Sequence, residues 1–168
     1  DTQLWKRLAE RSRDELGNYT QAAYCFHRCW RSMPEDGTDE AKSVLWDMAD
    51  CFMKIKRYAR AARYLQMLFE MHPGDLVIGR MLSKALYLQA DKPATARVLE
   101  VCLGVDSDSS SSTSADHPSP SPRDADLMNM LCEVYIDLRE YGKCRTILGK
   151  FLIPSNVSIE DKQALITN

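Results

Sequence analysis

Glycine is scarce in this sequence, and its seven residues are scattered along the chain instead of clustered. The sequence therefore contains no glycine-rich phosphate loop, and it also lacks the G-x-S-x-G and H-E-x-x-H patterns of hydrolases and metalloproteases. Acidic residues do occur close together, as at Asp39 and Glu40, but they lie in a connection where solvated carboxylates are expected. These absences argue against an enzyme, and they predict no catalytic residue, no cofactor and no small-molecule ligand.

The chain also lacks a strong net charge and a long apolar run. Its formal charge at pH 7 is -2, which provides no global field for nucleic acid, so any such contact would need a local patch. No apolar run approaches the length of a membrane-spanning helix, and nothing resembles a secretion signal. We expect a soluble, intracellular chain without membrane association. Because it starts without Met and close to Trp5, we also expect it to be part of a longer protein.

One pattern is present twice with the same internal spacing. The arrangement Y-x2-A-x3-[FL]-x2-[small/L]-x4-P begins at Tyr19 and again at Tyr58, 39 residues later. One 34-residue step beyond the second copy, the pattern continues through Thr95 to Leu99, and it returns at Tyr141, Cys144 and Leu148 after the first-helix pattern Met128-x2-Leu131-Cys132-x2-Tyr135. This is the second half of a tetratricopeptide (TPR) unit, which consists of two short antiparallel helices.

The repeats predict an all-α fold, a TPR-type α-α superhelix or solenoid of antiparallel helix pairs, with about four repeats. The connection after the first repeat is about five residues longer than usual, and one extra residue precedes Gly17. The expected organisation is repeat one at 1–35, repeat two at 42–74, repeat three at 76–103, a Ser/Pro-rich insertion at 104–123, repeat four at 124–153 and the start of a further helix at 154–168.

Residue size at the repeat positions indicates how the helices pack. Small residues are needed where helices approach most closely, at Ala9, Ala22, Ala49, Ala61 and Cys144. Bulky residues are expected to fill the remaining space, and replacing one by Ala should cost roughly 2 to 5 kcal/mol. These bulky positions are Tyr19, Phe26, Tyr58, Leu65, Leu99, Tyr135, Tyr141 and Leu148.

Six cysteines raise the possibility of a metal site or of disulfides. Cys25 and Cys29 share one helical face, but His27 does not, and the other histidines lie in different contexts. Free thiols that replace small residues are the favoured interpretation, so we predict no metal site. Four of the cysteines fall on repeat positions that require a small residue: Cys29, Cys102, Cys132 and Cys144.

The insertion at 104–123 reads GVDSDSSSSTSADHPSPSPR and is too polar to bury a core, so we expect it to be disordered. Ser119 and Ser121 each precede proline and are candidate phosphorylation sites. A passive linker is the favoured interpretation, and a regulatory loop that gains negative charge on phosphorylation is the alternative.

The first helices of stacked TPR units line a concave groove, and the repeat positions predict which side chains face it. The result is a basic and aromatic groove suited to a peptide with acidic and apolar residues. Trp46 could equally be a packing residue. The predicted groove residues are Lys6, Trp46, Lys54, Arg80, Lys84 and Tyr87.

A basic run from Lys54 to Arg63 crosses the turn inside repeat two. A solvated rim is the favoured interpretation, and contact with nucleic acid is the less favoured one. Some TPR domains bind chaperone tails with a clamp of Lys and Asn side chains. Repeat one offers Glu10 and Arg13 where such a clamp would need Asn, which argues against that function.

Residues 4–10, LWKRLAE, followed by Gly17-Asn18-Tyr19 and Tyr24-Cys25-Phe26, resemble the TPR subunit of transcription factor IIIC, the general factor of RNA polymerase III. The fourth repeat, LCEVYIDL at residues 131–138 with Tyr141, is similar to the same subunit. The resemblance covers residues 1 to about 104 and 124 to 153, and the Ser-rich insertion has no counterpart.

This resemblance implies a nuclear, non-enzymatic scaffold that helps assemble the RNA polymerase III pre-initiation complex. The implied partners are other factor IIIC subunits and components of factor IIIB, the initiation factor that it recruits, with no direct sequence-specific nucleic-acid binding. The alternative is a generic TPR adaptor of a cytosolic chaperone, motor or ubiquitin-ligase complex, and a third class is an RNA-processing helical-repeat protein. No motif marks the residues that would contact a partner.

Overall fold

The computed structural model describes residues 1–33, 38–105 and 125–152, with the side chains of 150–152 excepted. The described residues form eight α-helices and no strand, which confirms the all-α prediction. The helices are α1 (Thr2–Asp14), α2 (Tyr19–Arg31), α3 (Asp39–Lys54), α4 (Tyr58–Met71), α5 (Leu76–Leu88), α6 (Lys92–Leu103), α7 (Ala125–Asp137) and α8 (Tyr141–Leu152).

The chain divides into two compact units, Asp1–Asp91 and Lys92–Asn168. In the first unit each helix packs on the next one along the chain, from α1 to α5. In the second unit α6 packs on α7, and α7 packs on α8. The predicted repeat three therefore comprises α5 in the first unit and α6 in the second. The bounds of the six predicted segments stay predictions.

Short turns with one left-handed residue separate the paired helices. Lys56, Ala90 and Arg139 have φ values of 59°, 66° and 61°, and Gly17 occupies the same place before α2 with φ 61°. This conformation ends a helix by directing a backbone N–H back to a carbonyl of the last turn. In three of the turns this N–H donates to the carbonyl five residues earlier, as from Arg57 N to Phe52 O. In the first turn it donates to the carbonyl six residues earlier, from Asn18 N to Ser12 O. The extra residue that the sequence indicates before Gly17 is accommodated there.

Side chains cap several of the helix starts. The Asn18 side chain accepts a hydrogen bond from Gln21 N, and the Thr38 hydroxyl accepts one from Ala41 N. The Asp75 carboxylate accepts hydrogen bonds from Val77 N and Ile78 N in the first turn of α5. Each cap satisfies a donor that has no partner inside the helix, which contributes about 1 kcal/mol. Arg57, which precedes α4, makes no such side-chain bond.

The small positions behave as the repeats predict. Four of them are completely buried and the last is 7% exposed, namely Ala9, Ala22, Ala49, Ala61 and Cys144. Of the predicted bulky positions, Phe26, Leu65, Leu99 and Tyr135 are buried, whereas Tyr19 and Tyr58 are half-buried.

Two of the predicted core positions are wrong. Tyr141 is 61% exposed and Leu148 is 37% exposed, while Ile147 is 1% exposed. Only one of two successive helical residues can face α7, and Ile147 takes that place, three residues after Cys144 on the same side of α8. Tyr141 is the first residue of α8, as Tyr19 and Tyr58 are of α2 and α4, but it is far more exposed than a half-buried position.

The second unit has a continuous apolar core in which α6 and α8 both contribute to one cluster with α7. The buried members are Ala96, Leu99, Leu127, Leu131, Val134, Tyr135, Cys144 and Ile147.

Candidate functional site

All six predicted groove residues lie on first helices of the first unit. They are distributed over α1, α3 and α5 as Lys6, then Trp46 and Lys54, then Arg80, Lys84 and Tyr87. Two ion pairs join α1 directly to α3: Lys6 Nζ lies 3.1 Å from Glu40 Oε1, and Arg13 Nη1 lies 2.8 Å from Asp47 Oδ1. The first helices of the first two predicted repeats therefore lie side by side.

The groove residues differ in how available their side chains are. Lys6 is neutralised by Glu40, which also accepts a hydrogen bond from Gln3, and these bonds lower the pKa of Glu40. Lys54 and Lys84 are exposed, and neither forms an ion pair with a described carboxylate. Two available cations on α3 and α5 thus remain for an acidic partner.

The two aromatic members of the predicted groove are also unequal. Tyr87 is 37% exposed near the end of α5, whereas Trp46 is half-buried in α3. Both alternatives for Trp46, groove residue and packing residue, remain compatible with this position. The assignment of the groove residues as a peptide-binding site stays a prediction.

A second surface, which we call the arginine cleft, lies between the second helices of the first unit. It has a volume of about 590 Å³. Its walls are residues of α2 and α4 with the end of α3 and the turn that follows it. The lining residues are Thr20, Ala23, Tyr24, His27, Phe52, Ile55, Arg57, Arg60, Arg63 and Tyr64.

Four aromatic rings are packed together at this cleft. Tyr64 stacks on Phe52 with ring centres 5.8 Å apart and an angle of 12° between the rings. His27 and Trp30 meet Tyr64 edge-on, at 6.5 Å and 6.0 Å. The guanidinium of Arg60 lies 5.8 Å from the centre of the Phe52 ring, an arrangement in which the ring attracts the cation. The rings thus form one wall of the cleft, and Arg60 lies against the ring of Phe52.

The arginine cleft is strongly basic. Arg57, Arg60 and Arg63 are exposed, and none forms an ion pair with a carboxylate among the described residues. Helix α2 contains no Asp or Glu, and in α4 the only acidic residue is Glu70, near its end. The positive charge at the cleft is therefore not compensated locally.

His27 also lines this basic cleft. Its pKa is lowered from 6.5, chiefly because the ring is partly buried and then because of repulsion by Arg31, Arg60 and Arg28. The imidazole is therefore neutral at pH 7 and can either donate or accept a hydrogen bond in the cleft.

From the sequence, this region is predicted to be a solvated basic rim or, less favoured, a contact for nucleic acid. No pattern in the sequence connected the run ending at Arg63 with the aromatic residues of α2. Two signals could have revealed the cleft: arginines that recur every third residue from Arg57 to Arg63, and the absence of acidic residues from α2 and from α4 before Glu70.

The thiols of the cysteines have the properties of residues that pack in a core, not those of nucleophiles. All six are free thiols. Burial is the main cause that raises the pKa of Cys51 to about 11, and burial followed by a hydrogen bond with Cys144 raises that of Cys132 to about 11. Thiols with such pKa values are protonated at neutral pH and are poor nucleophiles. Within residues 1–33, 38–105 and 125–152, no group of three or more His, Cys, Asp or Glu side chains could hold a metal ion.

Two remaining predictions concern other parts of the chain. Ser119 and Ser121, the candidate phosphorylation sites, lie outside the described residues, as does nearly all of the Ser-rich insertion. In the described part of the chain, no helix has the length and apolar character needed to cross a membrane.

The structure resembles solved TPR structures. MamA matches with a TM-score of 0.63 and 15% identity over 90% of this chain and 71% of MamA. A putative kinesin light chain with TPR-like repeats from Podosopora anserina matches with a TM-score of 0.60 and 13% identity over 98% of this chain and 74% of its own. The first TPR of Spaghetti (RPAP3), bound to the HSP90 peptide SRMEEVD, matches with a TM-score of 0.51 and 12% identity over 82% of this chain and 95% of its own.

These likenesses confirm the predicted all-α, TPR-type fold. At such low identity they establish the fold alone. No family model matches the sequence, and no curated protein matches it either.

Proposed function

We propose that this chain is a non-enzymatic scaffold that binds acidic segments of partner proteins along its first helices. The observation that carries the proposal is the presence of exposed lysines without ion-pair partners, Lys54 on α3 and Lys84 on α5, on a TPR-type fold. Tyr87 adds an exposed aromatic ring one turn beyond Lys84. Cations beside an aromatic side chain suit a peptide that carries both carboxylates and apolar residues.

At a finer level, we propose that the chain belongs to the TPR subunit of transcription factor IIIC and acts in the nucleus. The support is the resemblance of residues 4–10 and 131–141 to that subunit. Its partners would then be other factor IIIC subunits and factor IIIB components, and its role would be to recruit factor IIIB to the RNA polymerase III pre-initiation complex. No cofactor, membrane contact or sequence-specific nucleic-acid contact belongs to this proposal.

Affinity capture from nuclear extract, with identification of the captured proteins by mass spectrometry, tests both levels. We expect factor IIIC and factor IIIB subunits to be recovered, and to be lost with the double substitution Lys54→Glu and Lys84→Glu. The charge-matched control is Arg97→Glu with Arg145→Glu, two exposed positions in the second unit. Equal recovery with both double variants would refute the first-helix surface, and recovery without any factor IIIC or IIIB subunit would refute the finer proposal.

The alternative is a generic TPR adaptor of a chaperone, motor or ubiquitin-ligase complex. The RPAP3 structure favours this alternative, since that TPR domain holds the HSP90 peptide SRMEEVD. An argument against a chaperone clamp is that Arg13 is already engaged with Asp14 and Asp47. Calorimetric titration with SRMEEVD separates the possibilities. Binding that Lys54→Glu weakens at least about tenfold, equivalent to 1.4 kcal/mol, would favour the adaptor, and absence of binding would exclude this chaperone tail.

A further inference from the structure

We propose that the arginine cleft between α2 and α4 is a binding site for a phosphorylated side chain of a partner protein. The cleft lies on the second helices, whereas the proposed scaffold function uses the first helices. The two proposals therefore stand independently, and either can fail without the other.

The first argument is the charge of the cleft. Arg57, Arg60 and Arg63 line one concavity, and their guanidinium groups lack carboxylate partners among the described residues. Like charges held together without counter-charges repel one another, so an anion that enters the cleft relieves that repulsion and gains attraction from each group. The pKa of His27 is lowered chiefly by burial, and the further lowering by Arg31, Arg60 and Arg28 agrees with this positive field.

The second argument is that the site is already formed. The arginines project from one short stretch, from the residue preceding α4 through its first two turns, and Arg60 is held against Phe52. Groups on a rigid helix lose less freedom on binding than groups on a loop, so more of the interaction appears as affinity. A volume of about 590 Å³ can admit a side chain together with its backbone.

The number of guanidiniums favours a phosphate over a carboxylate. A carboxylate is satisfied by one arginine, which binds it through two parallel hydrogen bonds. A phosphorylated Ser, Thr or Tyr carries roughly -1.5 to -2 charges at neutral pH and three acceptor oxygens. Three unpaired arginines exceed that charge, and Thr20, Tyr24 and the neutral His27, which line the same cleft, carry further hydrogen-bond donors.

The packing of the rings favours a protein ligand over single-stranded nucleic acid. Binding of single strands relies on aromatic faces on which bases stack. Tyr64 is already packed on Phe52 and is met edge-on by His27 and Trp30. Tyr24 is the one well-exposed ring at the cleft, at 58%, and it meets Trp5 edge-on. The cleft thus offers a closely packed aromatic wall and one open ring, not the row of aromatic faces on which successive bases stack.

The experiment uses immobilised pools of short degenerate peptides with a fixed central phosphoserine, phosphothreonine or phosphotyrosine, together with pools carrying the unmodified residue or Glu. A fluorescently labelled oligouridine is a further probe. We expect the 168-residue chain to bind at least one phosphorylated pool at least about tenfold more tightly than the matching unmodified and Glu pools, a difference of 1.4 kcal/mol. Binding should weaken as salt concentration rises.

The double substitution Arg60→Gln with Arg63→Gln should abolish that preference. The matched control, Arg97→Gln with Arg145→Gln, removes the same charge from exposed positions of the second unit and should retain it. Circular dichroism checks that all variants keep their helix content, and Arg63→Gln alone, at an exposed position, should lower the affinity at least about threefold, or roughly 0.7 kcal/mol.

Three outcomes would overturn the proposal. Equal binding of the Glu and phosphorylated pools would indicate a general acid-binding surface, and tighter binding of oligouridine than of every phosphopeptide would indicate a nucleic-acid surface. A phosphopeptide preference that survives in the Arg60 and Arg63 double variant would place the site elsewhere. Lys84→Glu alone, on α5 and outside the cleft lining, should leave phosphopeptide binding unchanged.

Discussion

Arg13 of α1 and Asp47 of α3 form an ion pair, with Nη1 2.8 Å from Oδ1, and each side chain is only about a quarter exposed. Seven residues before each partner, Lys6 and Glu40 form a second ion pair between the same two helices. Seven residues correspond to two helical turns, so both pairs lie on one side of each helix. They connect consecutive first helices, which is the contact that a stack of helix pairs requires.

Removing the charge of Arg13 from the Arg13–Asp47 ion pair should cost more stability than removing the charge of Asp47. Burial raises the pKa of Asp47, and the charge of Arg13 only partly opposes this. Arg13→Gln should lower the free energy of unfolding by about 1 kcal/mol and raise the pKa of Asp47 further. Asp47→Asn should cost less, because it removes the charge that burial disfavours. Urea unfolding of both variants and the double variant at pH 7 checks this, and a larger loss with Asp47→Asn would contradict it.

His27 should make stability depend on pH in mildly acidic solution. Its pKa in the folded chain is lowered from 6.5. Above pH 6.5 the ring is neutral in both folded and unfolded chains. As the pH falls below 6.5, the unfolded chain binds a proton that the folded chain resists, so the free energy of unfolding decreases until the pH passes the folded pKa. Denaturant unfolding as a function of pH should show a shallower decrease for His27→Gln, and identical slopes for both proteins would contradict this prediction.

The Tyr135 hydroxyl should stabilise the second unit through Glu100. It donates a hydrogen bond to Glu100 Oε1, and burial followed by this bond raises the pKa of Tyr135 well above its usual value. Tyr135→Phe removes the donor from a partly buried acceptor, and we expect a loss of about 1 to 2 kcal/mol in urea unfolding. Glu100→Gln retains an acceptor and should cost less. If Tyr135→Phe were as stable as the original chain, the bond would contribute nothing.

The corrected core positions predict a contrast between Leu65 and Tyr141. Leu65 is fully buried, so Leu65→Ala should create a cavity and cost roughly 2 to 5 kcal/mol. Tyr141 is 61% exposed, so Tyr141→Ala should change the free energy of unfolding by less than about 0.5 kcal/mol. Thermal and urea unfolding of the two variants measure this difference. A large loss with Tyr141→Ala would restore the packing role that the repeat pattern assigned to it.

Much of the local structure could be predicted from the sequence, because TPR packing constrains residue size at fixed spacings. Ala22 and Ala61 are small and fully buried where two helices come together, and Phe26 and Leu65 fill the adjoining space. The pattern failed at Tyr141, since periodicity assigns a residue to a face of the helix but does not state whether another helix covers that end of it.

Only part of the predicted groove could be derived from the sequence. Position in the repeat correctly assigned Lys6 and Lys84 to first helices, but it could not show that Glu40 neutralises Lys6 while Lys84 remains without an ion-pair partner. Such pairing depends on which side chains of a neighbouring helix come within ion-pair distance. The spacing of residues along one helix does not determine this.

By itself, the sequence determined the repeat, the class of fold and the small buried positions, because these follow from local periodicity and residue volume. Only the tertiary structure decided which charges are compensated and which surfaces are concave. The arginine cleft illustrates the difference. Tyr24 and His27 of α2 are more than 25 residues from Arg57 and Arg63 in the sequence. The packing of separate helices nevertheless makes all four line the same cleft. Uncompensated charge in a cleft is a property of three-dimensional neighbours, and a linear spacing does not specify it.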